Sequence, residues 1–314
     1  MSENNVFIIS ILMDMYTKCG RLPLARQVFQ RSAIQDVVTW TTLIACHVES
    51  GANEEALVLF HLMQLEGVSP NAATYVCCLR ACCFDGEVNK GQEIHNEVER
   101  KGSLSNDVLI GSALVDMYSR FKLLQVAQDV FNGIPYPDVI LWTTLINGYV
   151  ENGYGVLALH YFERMQADSE HLNVHVFVAL LKACAALKDI QTGLRLHVEL
   201  SSICMSENNV FIISILMDMY TKCGRLPLAR QVFQRSAIQD VVTWTTLIAC
   251  HVESGANEEA LVLFHLMQLE GVSPNAATYV CCLRACCFDG EVNKGQEIHN
   301  VGEKRQLKQR CFDW

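Results

Sequence analysis

Residues Val37–Asn71 read VVTWTTLIACHVESGANEEALVLFHLMQLEGVSPN. Their larger side chains recur at helical spacing in two groups, one on each side of Gly51: Trp40, Leu43, Ile44 and His47, then Ala56, Leu59, Phe60 and Met63. Spacing of three and four residues is typical of one face of an amphipathic helix. The segment is therefore predicted to form two helices joined at Gly51, that is, a helical hairpin.

The same hairpin pattern recurs along the chain in units of 31, 35 and 36 residues, named here the short, 35-residue and long motifs. The units span 6–36, 37–71, 72–107, 108–138, 139–173, 174–209, 210–240 and 241–275, followed by an incomplete long motif at 276–300. Residues 1–5 match the end of a long motif, and residues 301–314 depart from the pattern. We therefore expect the chain to begin inside a repeat and to end in a divergent tail.

A longer repeat is superimposed on these units, because Met1–Asn96 recurs without change as Met205–Asn300 at an offset of 204 residues. That offset is twice the 102 residues that one short, one 35-residue and one long motif span together. The motifs therefore stay in register. Identity at every position fits either a recent duplication or an error in sequence assembly.

Three positions within the units are nearly constant. The fifteenth residue is glycine in seven of nine units, with Lys122 and Lys188 as the exceptions, and a left-handed glycine there would end the first helix. The twentieth residue is alanine or glycine in all nine, which allows the two helices to approach closely. The twenty-fourth is Phe, or His95, His197 and His299 in the long motifs. The pattern predicts an all-α solenoid in which hairpins bury their apolar faces on one another.

Composition excludes several classes of protein. The chain is 51% hydrophobic and 18% charged, which is too apolar for a disordered chain, and no apolar run approaches the ~18 residues that span a bilayer. A formal net charge of −10 excludes a nonspecific polycation. The 15 cysteines, an odd number that includes four adjacent pairs, favour reduced and buried thiols over a disulfide framework.

No complete catalytic or metal-binding motif is present. His-x-Glu begins at His47, His197 and His251, but no Cys-x-x-Cys completes a deaminase zinc site. Cys78 and Cys82 share one helix face and could contact one metal ion, although small buried hydrophobic residues are the favoured interpretation. The histidines are likewise predicted to pack in the core. We predict no enzymatic activity, no metal and no cofactor.

At this point the residues resemble a known family. The run Val37–Asn71 resembles a pentatricopeptide repeat, and the alternation of three lengths resembles the long-and-short (PLS) subclass of plant organellar RNA-binding proteins. Val6–Phe29 resembles the short motif of that subclass, and the Gly-x-x-Ile-His of Gly91–His95 its long motif. The resemblance implies a right-handed α-solenoid superhelix of about nine helical-hairpin repeats. It also implies single-stranded RNA as the partner, read at one base per repeat, in a mitochondrion or chloroplast.

The resemblance further implies that the fifth and the last residue of each motif contact the base. These pairs are Ser10 with Asp36, Thr41 with Asn71, Val76 with Asp107, Ser112 with Asp138, Thr143 with Asn173, Val178 with Asn209, Ser214 with Asp240, and Thr245 with Asn275. A carboxylate accepts the N–H groups of guanine, and a carboxamide suits adenine, whereas valine forms no hydrogen bond. The predicted site is 5′-GANGANGA-3′. The alternative for these side chains is helix capping, or a solvated turn end.

Two other positions follow from the resemblance. The second residue of each motif is expected to wedge against the bases: Phe7, Val38, Ala73, Leu109, Ile140, His175, Phe211, Val242 and Ala277. The thirteenth is basic in the short motifs, where Lys18, Arg120 and Lys222 either contact phosphate or form a solvated helix end.

Three functional hypotheses stay open at this point. The leading one is a sequence-specific RNA-binding factor for RNA editing or processing, with a deaminase or editing accessory protein supplied in trans and no membrane partner. The second is a protein-interaction scaffold of tetratricopeptide-like hairpins. The third is a gene fragment without an independent role.

Overall fold

The computed structural model describes residues 6–102, 107–167, 173–202 and 209–289, together with residues 295, 296 and 298. This part of the chain contains no strand and forms these α-helices: α1 (Val6–Lys18), α2 (Leu22–Arg31), α3 (Val37–Glu49), α4 (Asn53–Leu65), α5 (Ala72–Asp85), α6 (Val88–Lys101), α7 (Val108–Arg120), α8 (Leu124–Gly133), α9 (Val139–Glu151), α10 (Gly155–Ala167), α11 (Val174–Leu187), α12 (Ile190–Ser202), α13 (Val210–Lys222), α14 (Leu226–Arg235), α15 (Val241–Glu253), α16 (Asn257–Leu269) and α17 (Ala276–Asp289). The predictions for residues 1–5, Gly290, His299 and residues 301–314 lie outside the described residues.

The odd-numbered helices are the first helices of the motifs, and each begins at the first residue of its motif as predicted. The helices fall into two compact units, Met1–Asn152 with Tyr161–His171, and Gly153–His160 with Leu172–Trp314. Within the first unit α1, α3, α5, α7 and α9 pack side by side, and within the second unit α11, α13, α15 and α17 do the same. Each unit is therefore a stack of hairpins with its first helices in one layer.

The turn between the two helices of a hairpin is left-handed wherever it is described, as the fifteenth residue predicts. Gly51 has a φ of +76° and Gly153 a φ of +82°. The two exceptions in the sequence adopt the same conformation, since Lys122 has a φ of +62° and Lys188 a φ of +56°. The left-handed conformation costs a non-glycine residue about 1–2 kcal/mol. The fold therefore imposes this turn on the two lysines.

The small twentieth residue is buried at the helix crossing, which confirms its predicted role. Ala25, Ala56 and Ala127 have no exposed surface. In the long motifs the residue is glycine, and a Cβ on Gly91 would collide with the sulfur of Met117 unless that flexible side chain moved. A Cβ on Gly193 would lie 2.6 Å from the sulfur of Met219. Both methionines belong to the first helix of the following short motif, so the glycine accommodates its neighbour.

The twenty-fourth residue contacts an aromatic ring of the next motif at seven of the junctions. After a short motif, Phe29 packs edge-on against Trp40 with ring centroids 4.7 Å apart, and Phe131 packs against Trp142 in the same way. After a long motif the contact is a hydrogen bond, since His95 Nδ1 lies 2.8 Å from the Tyr118 hydroxyl. His197 and Tyr220 repeat this contact at 2.6 Å. The prediction that His95 and His197 are packed core residues is confirmed.

A polar network joins three helices at the end of the 72–107 motif. The Tyr75 hydroxyl donates to Glu97 Oε1 at 2.7 Å, and Lys101 Nζ donates to the Tyr75 oxygen at 2.7 Å. Gln64 Nε2 donates to both oxygens of Glu97 at 2.8 and 3.0 Å. The counterpart of Tyr75 in the second copy is Tyr279, whose buried hydroxyl has no hydrogen-bond partner among the described residues. One sequence thus places the same tyrosine in two different environments.

Replacing a strained lysine with glycine is expected to stabilise the protein. Lys122→Gly and Lys188→Gly should each raise the free energy of unfolding by about 0.5–1 kcal/mol, because relief of the left-handed strain exceeds the extra entropy of glycine in the unfolded chain. Denaturant unfolding followed by circular dichroism measures the change. The matched control is Lys182→Gly, inside α11, which should lower stability by about 1 kcal/mol. Equal destabilisation by all three variants would contradict the assignment of strain.

The two tyrosines are expected to respond differently to the same substitution. Tyr75→Phe should lower the free energy of unfolding by about 1–2 kcal/mol, because it removes the hydroxyl that bridges Glu97 and Lys101. Tyr279→Phe should leave stability unchanged or raise it, because it removes a buried hydroxyl that has no partner among the described residues. Both variants are compared with the parent chain by chemical denaturation. Equal losses would show that the two hydroxyls have equivalent partners.

Candidate nucleic-acid interface

The last residue of each motif caps the first helix of the next one. Asp36 Oδ1 accepts hydrogen bonds from the backbone N–H groups of Val38 and Thr39 at 3.1 and 3.0 Å. Asn71 Oδ1 accepts from the N–H of Thr74 at 2.9 Å. The same capping is made by all the predicted last residues: Asp36, Asn71, Asp107, Asp138, Asn173, Asn209, Asp240 and Asn275. The capping alternative is therefore realised in the structure.

Capping uses one of the two polar atoms at the tip of the side chain and thereby fixes the direction of the second polar atom. In Asp36, Asp138 and Asp240 the capping bonds go to Oδ1, and Oδ2 has no partner among the described residues. In the exposed Asn71 and Asn275 the inward Oδ1 turns the Nδ2 amide outward. An aspartate thus presents an acceptor and an asparagine presents a donor. Capping and base contact use different atoms and can occur together.

The fifth residue lies one turn into the same helix. In two motifs its hydroxyl proton is directed to the backbone carbonyl four residues earlier: Ser112 Oγ donates to Val108 O at 2.8 Å and Thr143 Oγ1 donates to Val139 O at 2.5 Å. The hydroxyl oxygen can still accept a hydrogen bond. Val76 and Val178 stand half-buried at the equivalent position and offer only apolar contact.

The second residue of every motif is exposed, directly beside the cap. Phe7 is 71% exposed, Ile140 59% and Phe211 56%, and all nine predicted wedge residues share this exposure. Large apolar side chains in water are unfavourable unless a ligand covers them. At seven of the eight described motif boundaries an exposed apolar side chain therefore stands beside a capping Asp or Asn, and at the eighth the exposed residue is His175.

The predicted phosphate contacts are already paired. Lys18 Nζ lies 2.7 Å from Asp14, Arg120 Nε 2.9 Å from Asp116, and Lys222 Nζ 2.8 Å from Asp218. Each aspartate is four residues earlier on the same helix, and its hydrogen bond raises the pKa of the base. This spacing was visible in the sequence but was not used in the phosphate prediction. A phosphate must therefore compete with a carboxylate for each cation.

The other chemically active side chains have structural roles. His47 Nδ1 lies 2.8 Å from the carbonyl oxygen of Leu43, and burial lowers the pKa of His47. Burial raises the pKa of Cys78, which keeps that thiol protonated. The described residues contain no group of three potential metal ligands. Among the described helices, none has the length and hydropathy needed to cross a bilayer.

Comparison with known proteins identifies the repeat. A model of the "PPR repeat family" matches residues 35–84 and 239–287, and a model of the single "PPR repeat" matches residues 73–103 and 140–169. Pentatricopeptide repeat-containing protein At4g33990 of Arabidopsis thaliana is 34% identical over 295 residues, which cover 94% of this chain and 36% of that protein. The chain belongs to the pentatricopeptide repeat family. Because the matching models describe repeats, this chain is a repeat protein.

Two further comparisons, one of sequence and one of structure, show which known proteins the repeats of this chain resemble. CRR2, a chloroplastic pentatricopeptide repeat-containing protein of Arabidopsis thaliana, is 33% identical over 303 residues, covering 95% of this chain and 46% of CRR2. The crystal structure of PPR10, a maize protein, in complex with an 18-nt psaJ RNA element superposes with a TM-score of 0.76 at 19% identity, covering 92% of this chain and 43% of PPR10. This match shows a common α-solenoid fold. The chain spans between 36% and 49% of the length of its relatives.

Because the cations are paired, binding to RNA should depend weakly on salt. The slope of log association constant against log salt concentration is expected to be no steeper than about −2, since three contacts contribute about 0.7 each. Fluorescence anisotropy with labelled RNA at several salt concentrations measures it. Arg120→Gln should flatten the slope by about 0.7, and Asp116→Asn, which releases Arg120, should strengthen binding. A parent slope steeper than about −5 would reveal a basic track elsewhere.

Proposed function

We propose that this chain binds single-stranded RNA sequence-specifically, with one repeat contacting one base. The observation that supports the proposal most is a combination that recurs at several motif boundaries. A capping Asp or Asn directs its second polar atom outward, and an exposed apolar residue stands two positions along, as with Asp36 and Val38. A base offers both surfaces at once, because its edge forms hydrogen bonds and its face is apolar. The RNA bound by PPR10 is consistent with this use of the fold.

The proposed recognition follows from the outward atoms. In the short motifs the free carboxylate oxygen of Asp36, Asp138 or Asp240 accepts from N1–H and N2–H of guanine. In the 35-residue motifs the amide Nδ2 donates to N1 of adenine. The long motifs carry Val76 and Val178 and discriminate weakly. Read with the N-terminus toward the 5′ end of the RNA, the motifs specify 5′-GANGANGA-3′.

We further propose that the chain is a specificity factor of the PLS subclass that acts in organellar RNA editing or processing. The alternation of 31-, 35- and 36-residue motifs supports the subclass. Relatives named as chloroplastic and as mitochondrial support an organellar location. In this proposal the chain supplies recognition, and a deaminase or editing accessory protein acts in trans.

A protein-interaction scaffold is the alternative that the same experiments address. A peptide groove requires exposed apolar side chains but does not require the pairing of Ser with Asp in short motifs and of Thr with Asn in 35-residue motifs. RNA binding and peptide binding therefore place different requirements on the proposed reading residues. Exchanging one polar atom of such a residue tests which of the two functions the chain has.

The exchange Asn173→Asp replaces a carboxamide, which both donates and accepts, with an acceptor-only carboxylate in one motif. Because aspartate caps a helix as well as asparagine does, the fold should be unaffected. The preferred base at the fifth position of 5′-GANGANGA-3′ is expected to change from A to G, with a difference of roughly 1–3 kcal/mol. Binding constants for RNAs that differ only at that position measure the change.

The matched control is Asn209→Asp, the same exchange in a motif whose fifth residue is Val178. It should alter base preference little at the sixth position, because the valine motif discriminates weakly. If parent and Asn173→Asp rank A and G identically at the fifth position, the assignment of reading residues is wrong and the scaffold becomes the better hypothesis.

A further inference from the structure

Helix α4 carries an exposed apolar stripe that the RNA-binding proposal does not use. Val58 is 64% exposed, Leu62 42% and Leu65 83%, and their spacing of four and three residues places them on one face of the helix. Other residues of the same helix, among them Ala56 and Phe60, are buried in the core of the hairpin. The α4 stripe is therefore separate from the face by which the helix packs in the fold.

The helical hairpin does not require apolar residues at these three positions. Three other motifs also have a second helix of 13 or 14 residues. At the positions equivalent to Val58, Leu62 and Leu65 those motifs have mainly charged or polar residues: Glu93, Glu97 and Arg100; His160, Arg164 and Ala167; Arg195, Glu199 and Ser202. The apolar stripe is thus a property of particular helices rather than of the repeat.

Helix α16 repeats the stripe in the second compact unit. Its sequence is identical to that of α4, and Val262, Leu266 and Leu269 have the same exposed fractions as their counterparts to within 1%. Contiguous exposed apolar residues are unfavourable in water and mark sites of interaction. The chain therefore presents the same apolar surface twice, once in each unit.

The charges around the α4 stripe indicate the class of partner. Glu54 and Glu55 are exposed at one end of the stripe and Glu66 at the other, and the helix contains no lysine or arginine. None of these three glutamates forms an ion pair with a described residue. Glu54 and Glu55 suit the first turn of a helix, but Glu66 is at the C-terminal end, where the helix dipole disfavours an anion. Helix stability therefore does not account for the acidic residues at both ends.

We propose that the α4 and α16 stripes each bind a basic amphipathic helix of a partner protein. Steps of four and three residues correspond to the d, a and d positions of a heptad, the seam along which two helices pack. The partner helix places Lys or Arg beside this seam, opposite the glutamates. The inference goes beyond RNA binding and does not rest on it, because the reading residues belong to the first helices of the motifs and the stripes to the second helices.

The same glutamates oppose two other occupants. Two copies of this chain that paired through their stripes would bring like charges together at both ends of the contact. An anionic membrane surface attracts polybasic segments and repels an acidic one. A basic helix is the occupant that both the apolar stripe and its acidic ends favour.

The test uses the full chain without RNA and a synthetic peptide of three heptads, about 21 residues, with leucine at a and d, lysine at e and g, and alanine elsewhere. Repulsion between the lysines keeps the peptide from pairing with itself. Isothermal titration calorimetry is expected to show two equivalent sites per chain. The control peptide has glutamate at e and g, and should bind about tenfold more weakly or less.

Variants assign the two sites to the two stripes. Leu65→Lys and Leu269→Lys should each remove one site, and the double variant both, because each places a cation where a leucine would be buried. Val198→Lys, a matched change at an exposed apolar residue of α12, should leave both sites. The double exchange Glu54→Lys and Glu66→Lys should reverse the preference of the α4 site, so that it binds the glutamate peptide. Circular dichroism and unchanged RNA binding check that each variant is folded.

The inference is wrong if the lysine peptide does not bind, if it binds the double leucine variant as tightly as the parent, or if the glutamate peptide binds equally well. Two further measurements test the other occupants. Flotation with phosphatidylglycerol vesicles, or self-association in sedimentation velocity, that is lost in the double leucine variant would assign the stripes to a membrane or to a second copy. Either result would overturn the proposal and leave the proposed RNA binding unaffected.

Discussion

Each motif boundary depends on one hydrogen bond, from a backbone N–H in the first turn of a helix to the side-chain oxygen of the preceding Asp or Asn. Removing such a cap costs about 0.5–2 kcal/mol, and the cap recurs at eight described boundaries. The residues that cap well are the same small polar residues that can present an acceptor or a donor to a base. The start of the helix and the proposed reading position are therefore one constraint, and exchange between Asp and Asn would change the proposed reading atom without disturbing the cap.

A second constraint fixes the order of the motifs. Gly91 and Gly193 of the long motifs leave room for Met117 and Met219 of the short motifs that follow, and the His–Tyr hydrogen bonds form at the same junctions. The repeated block restarts at Met205, and the junction of Gly193 with Met219 forms across that restart. An offset of two complete triplets keeps a long motif before a short one, so the block can be repeated without a steric clash.

The sequence was sufficient for features that depend on position within a motif. The small twentieth residue and the left-handed glycine turn follow from the position within a motif, and the structure extends the same turn to Lys122 and Lys188, which the sequence pattern marks only as exceptions. Features that depend on contact between motifs could not be predicted. The hydrogen bond between Thr41 and Thr74 depends on the distance between two helices. The different surroundings of Tyr75 and Tyr279 depend on residues beyond the repeated block, since Tyr75 bonds to Glu97 and the Tyr279 hydroxyl has no partner among the described residues.

The charges of the interface determine how such a protein would discriminate among RNAs. The chain has a formal net charge of −10, the reading positions of the short motifs are carboxylates, and the basic thirteenth residues are paired with aspartates. Attraction to the phosphate backbone, which ordinarily supplies most of the affinity for a noncognate sequence, is therefore weak here. Affinity must come from the base edges and from apolar residues such as Phe7 and Ile140. A mismatched RNA then loses a larger share of its total binding energy. An acidic interface therefore lowers the affinity for matched and mismatched RNA alike, but raises the ratio of the two binding constants.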